Sequence, residues 1–226
     1  MKDDGFVFPK RAPAVRFTYV LPLLLFVLLV AGCRRPSARV FEVADGLPDF
    51  SSAPRQQSLG EQTAFTVENS EGTFRLRRVA AYEISARVVG VKRYSRGWES
   101  RLSPLDLALA WGELGELGTN AFISYSQRNR WYFFKSKAGC PFDINHIVSH
   151  SANHHIIPAT HNLRLALNTV RKNDLIEIKG YLVSITGSKE GRPYEWNTST
   201  RRDDSGGGSC EIVYLEALQI GRRMYR

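Results

Sequence analysis

The sequence predicts a mainly β fold of the α+β class, a small antiparallel barrel with two short helices, behind a membrane-targeting segment. Three patterns carry that prediction. Tyr82, Ile84, Ala86 and Val88 alternate with Glu83, Ser85 and Arg87, the period of a half-buried strand. Residues 175–185 form the strongest strand pattern, with Ile176 and Ile178 before Gly180 and Val183 and Ile185 after it. A change of parity at a glycine is what a bulge or a sharp barrel bend needs. Between strand patterns, Leu163, Ala166, Leu167 and Val170 fall at i, i+3, i+4 and i+7, the stripe of a short amphipathic helix.

The compartment is written at the N-terminus. Residues 17–33, FTYVLPLLLFVLLVAGC, make one long apolar run, preceded by Lys2, Lys10, Arg11 and Arg16 and partly offset by Asp3 and Asp4. A basic start, an apolar centre and a small-residue exit are the layout of a secretory signal. The exit, Val30-Ala31-Gly32-Cys33, resembles the lipobox of bacterial lipoproteins. That resemblance implies cleavage before Cys33 and acylation of Cys33, giving a protein lipid-anchored in the cell envelope and facing the periplasm. Each buried methylene contributes about 0.8 kcal/mol, so several acyl chains hold a protein on a bilayer where one does not. The alternative is a single-pass inner-membrane helix. However, the 16 residues from 17 to 32 fall short of the roughly 20 that cross the hydrocarbon layer.

On this reading residues 1–32 are signal peptide, 33–72 a flexible tether and 73–226 one β-rich domain. The tether carries Pro36, Pro48 and Pro54, with only weak strand patterns at 40–43 and 64–67. Within the domain, Ser103, Pro104 and Asp106 read as the cap, first-turn proline and dipole-matched acid of a helix through LDLALAW to Gly112. Aromatic segments at 122–125 and 131–134 read as a hairpin around SQRNR, and a further strand is expected within 143–159. Thr160 or Asn162 caps the second helix, KND turns into the 175–185 strand, and 210–218 is the last strand. A helix between the third and fourth strands of a small antiparallel barrel is the OB-like arrangement.

The formal charge of the chain is +9, and the signal segment takes away only a small part of it. Such a charge suits anionic surfaces such as headgroups, acidic glycans or an acidic envelope protein. Lysine and arginine never run longer than two, so there is no polybasic arm and nucleic acid is not the expected partner. Lipidation of Cys33 leaves Cys140 and Cys210 as an even pair, which an oxidising periplasm would join. Closing that loop contributes roughly 4 kcal/mol on the chain-entropy account.

No G-x-S-x-G, Walker A, G-x-G-x-x-G or S-x-x-K pattern occurs. The glycines at 206–208 precede no helix pattern, so they read as a turn and not as a phosphate cradle. All five histidines lie between His146 and His161. Read as a strand, NHIVSHSANHH places His146, His150 and His154 on one face and His155 on the other. His150, Asn153 and His154 are the candidate ligand-binding residues. His146, His150 and His154 are the candidate zinc ligands, although histidines four apart on a strand are ~13 Å apart and need a bend to share one ion. No other cofactor is expected. SPLDLALAWG, NRWYFF, HSANHHIIPA, GYLVSI and DSGGGSCE together resemble a bacterial protein family over roughly 75–218, a resemblance that implies no activity. Two functions follow: a non-catalytic envelope lipoprotein binding through a basic barrel face, or a metal-dependent or hydrolytic enzyme using the histidine stretch.

Overall fold

The computed structural model describes residues 36–61, 63–70, 72–189, 192–201 and 210–226. The apolar N-terminal run, Cys33 and residues 202–209 lie outside them. The long strand β4, Gly72–Arg93, is the spine of the fold. It pairs antiparallel with β5, Leu105–Ala110, on one side and with β9, Leu175–Lys189, on the other. From β5 the pairing passes antiparallel to β8, Ser151–Pro158, and then parallel to β11, Glu211–Ile220. Because β11 also pairs antiparallel with β9, the ladder returns to its start and closes a ring of five strands. The fold is mainly β, as expected.

Shorter elements decorate that ring. β1, Glu42–Val43, joins β12, Arg223–Tyr225, which in turn pairs with β11. β2, Arg55–Ser58, and β3, Ala64–Asn69, line β4, and β10, Arg192–Trp196, folds back on β9. Helices are α1, Trp98–Leu102, α2, Ile144–His150, and α3, His161–Leu167, with 3-10 turns at Gly112–Gly115 and Leu117–Ala121. A separate two-stranded ribbon consists of β6, Ile123–Arg128, and β7, Trp131–Ser136.

Packing explains where these elements differ from the sequence reading. The expected helix over 103–112 is the strand β5, because every residue of LDLALA is buried between β4 and β8. A short apolar run covered on both faces has no period to separate strand from helix. Leu105, Leu107 and Leu109 point into the ring with Tyr82, Ile156, Ile178 and Val213, while Ala108 and Ala110 lie on the outer side with Val89 and Ile123. Ser103 ends α1 instead of starting a helix. Three α-helices are therefore present among the described residues where two were expected. The segment read as tether contributes β1, β2 and β3 from residue 42 onward, and Ser37–Arg226 forms one compact unit. Phe50 packs against Gly115, whose missing side chain leaves room for that ring.

The parity change at Gly180 has a structural cause. A Cβ there would lie 1.9 Å from the Tyr214 carbonyl oxygen, so β9 and β11 approach as only glycine permits. Beside it the β11 register shifts between Leu215 and Ala217, and β4 shifts between Arg78 and Ala80. The irregularity expected in β9 is carried by its two partners. α3 begins at Thr160, whose hydroxyl accepts the Leu163 amide hydrogen bond. Asn162 has a different task, bonding Arg39 and Arg226 and so tying the first described residues to the last strand.

Candidate functional site

The most concentrated polar chemistry lies on the outer face of β5 and β8. Asp106 is wholly buried there, in a run that is otherwise apolar. Its Oδ1 accepts from Arg130 Nη1 at 2.6 Å and lies 2.8 Å from His155 Nδ1. A carboxylate only accepts, which assigns the proton of this contact to Nδ1. Arg130 also donates through Nη2 to the Ser103 carbonyl at 2.8 Å. Its guanidinium carbon sits 3.8 Å from the centre of the Tyr94 ring, and Trp196 covers both Arg130 and His155.

The ribbon delivers Arg130 to this place. Asn129 and Arg130 both have positive φ, 53° and 68°, so β6 and β7 are joined by a two-residue turn of the mirror-image type. Arginine is an unusual residue for that conformation. Here the Arg130 amide donates to Tyr94 Oη at 3.0 Å and the guanidinium meets Asp106, which offsets the strain. Burial, with Asp106 adding to it, pushes the Tyr94 hydroxyl up to about 12, so Tyr94 stays a neutral partner.

The predicted ligand-binding residues divide between environments. Asn153 is buried on the same outer face, accepting from Gln127 at 2.7 Å and donating towards Arg130 and Cys210. His154, the next residue, points into the ring and meets the Tyr82 hydroxyl at 2.8 Å. The first part of the histidine stretch is helix, not strand: Asp143 caps α2 by accepting the His146 amide. That helix brings His146 and His150 within one turn, their rings stacked at 4.1 Å. Both border a cleft with Phe50, Glu113 and Glu116, and His146 lies 3.6 Å from Glu113. Of the three proposed zinc ligands the structure thus joins His146 and His150 and gives His154 a different partner. Among the described residues no group of three or more His, Cys, Asp or Glu is arranged to hold a metal. Nor is there a disulfide bond among them: Cys140 packs beside the ribbon and Cys210 lies near Asn153.

Two features escaped the sequence. Glu83 and Glu177 meet on adjacent strands with Lys179 3.3 Å and 3.0 Å away. Burial raises the Glu177 carboxyl; it acts against Glu83 as well, but hydrogen bonds led by that from Arg55 hold Glu83 low. Their strand spacing carried no recognisable signal. The second feature is the outer face of the ribbon. Tyr125, Tyr132 and Phe134 turn inward onto the apolar cluster of Val89, Ala108, Ala110, Leu114, Ile123 and Ile147. Trp131 and Phe133 turn outward, 47 % and 46 % exposed, and register pairs Arg128 with Trp131 and Ser126 with Phe133. The alternation in 122–134 was visible, but which side faced water was not.

No protein-family model, curated protein or solved structure matches the chain.

Proposed function

We propose that the chain is a lipid-anchored protein of the bacterial envelope whose OB-like barrel carries a non-catalytic binding module for an acidic glycan. The ring order supports the OB-like reading. Its strands run β4, β5, β8, β11, β9 around the ring; β8 and β11, third and fifth in chain order, are parallel, and α3 lies between β8 and β9, third and fourth in chain order. In barrels of this kind the face of the second and third strands receives oligonucleotides or oligosaccharides. Here Asp106, Asn153 and His155 on that face are covered by Arg130, Gln127 and Trp196, so the ribbon presents the accessible surface instead.

The observation that carries the proposal is the composition of the ribbon's outer face. Trp131 and Phe133 stand beside Arg128 and Lys135, and no acidic residue occurs from 117 to 142. Flat rings receive sugar faces, while guanidinium and ammonium groups pair with carboxylates or phosphates. The hydrolytic reading has less support, because its histidines divide between the α2 cleft, Tyr82 and Asp106. A Cys140–Cys210 bond remains part of the envelope proposal; non-reducing peptide mapping of periplasm-facing protein should find the two peptides joined, and two alkylated thiols would exclude it.

The test is titration of the purified full-length protein with polygalacturonate, against neutral dextran as control. Trp131→Ala with Phe133→Ala should weaken binding about tenfold or more, the change that ~1.4 kcal/mol of lost contact produces. Polygalacturonate affinity equal to that of dextran, or unchanged by the double substitution, would overturn the proposal.

A further inference from the structure

We infer that the β1–β12 corner is a membrane-contact surface, seated on the anionic phospholipid headgroup layer. This rests on the lipid-anchor reading of Cys33. Ser37, where the folded unit begins, is the fourth residue after Cys33. Four extended residues reach at most about 14 Å. A lipidated Cys33 would therefore keep this corner within about 14 Å of the bilayer surface.

The surface at that corner has the composition such a position requires. Phe41, Val43 and Leu47 are 58 %, 61 % and 61 % exposed, the most open large apolar residues of the domain after Ile144, and Val40 lies beside them. Grouped on one corner, they make an apolar patch of the kind that marks a contact surface. Around them stand Arg39, Arg222, Arg223 and Arg226, all exposed. Arg222 donates to the Ala44 carbonyl at 3.0 Å, and the Arg226 guanidinium stacks 4.4 Å above the Phe41 ring. These contacts keep the cations next to the apolar side chains, the pairing that suits anionic headgroups over acyl chains. Glu42 and Asp45 are the acidic residues of the segment, outnumbered by the arginines.

The corner is also rigid enough to act as a platform. Phe41 donates its amide to the Met224 carbonyl at 2.8 Å and Ala44 to that of Arg222 at 2.8 Å. Asn162 bonds both Arg39 and Arg226. An ordered strand pair that presents apolar side chains outward loses little entropy when it settles into an interface.

The experiment reconstitutes the full-length processed protein into phosphatidylethanolamine–phosphatidylglycerol vesicles whose acyl chains carry bromine, a collisional quencher of tryptophan. Leu47→Trp adds a reporter at the corner and Phe133→Trp one on the ribbon; wild-type emission is subtracted from each. The Leu47→Trp signal should fall by about half or more, as for a ring at headgroup depth, and the Phe133→Trp signal should not change. An unquenched Leu47→Trp overturns the inference. The N-terminal peptide of the same sample is weighed by mass spectrometry. An acylated Cys33 with an unquenched Leu47→Trp removes the contact surface alone. Quenching in a chain that retains residues 1–32 keeps the contact and removes the lipid anchor.

Discussion

Asp106 is the residue on which the outer face of β5 and β8 depends. A buried carboxylate is costly unless cations and hydrogen bonds meet it, and Arg130 and His155 both meet its Oδ1. Asp106→Asn leaves Arg130 without its counter-charge and should destabilise by roughly 3–5 kcal/mol. His154→Gln should cost about 1–3 kcal/mol, because the wholly buried ring gives up its contact with Tyr82. His150→Gln, at the half-buried edge of the α2 cleft, should stay within about 0.5 kcal/mol. Urea unfolding of the three variants reads this order directly, and equal losses at His150 and His154 would contradict it. The clustering of histidines was visible as a site of polar chemistry. Their partners were not, since Asp106 and Tyr82 lie far from them along the chain and only the β5–β8 and β4–β5 pairings bring the strands together.

At the level of elements, backbone approach outweighs local propensity. Gly180→Ala drives a methyl carbon into the Tyr214 carbonyl, which backbone on both strands holds in place, so the variant should lose most of its folded yield. Gly60→Ala, with nothing within 4 Å, serves as the control and should melt with the wild type. Comparable melting of the two variants in a thermal scan would remove the close-approach account. Gly180 announced itself through parity, whereas β5 misled: Ser103, Pro104 and Asp106 satisfied every local rule for a helix start. Burial on both faces decided otherwise, and a six-residue strand between two neighbours has its backbone hydrogen bonds satisfied without any helix.

For the whole molecule the question is how it is held. Among the described residues no helix is long and apolar enough to cross a membrane. The lipid-anchor proposal assigns the attachment to Cys33. Cys33→Ser should therefore move the protein from the membrane fraction to soluble or unprocessed forms on fractionation and gel mobility. Unchanged partition and mobility would sink the lipid anchor and leave the 17–32 run itself as the attachment. With the anchor in place, the short connection to Ser37 and the positive charge that remains after residues 1–32 are removed act in the same direction, towards an anionic surface.

By itself the sequence determined the mainly β class, the alternation of β4, the special position of Gly180, α3 with a cap at Thr160 or Asn162, and the hairpin of aromatic strands. Each is a local pattern, set by side-chain period, a cap or a glycine. Tertiary structure decided that LDLALA is a strand, that residues 42–69 add three strands instead of a tether, and that His146 and His150 leave the strand for a helix. It also chose Arg130 as the partner of Asp106 and turned Trp131 and Phe133 towards water. These outcomes depend on which strands become neighbours. That is a matter of long-range burial and pairing, whose energy no short window of residues contains.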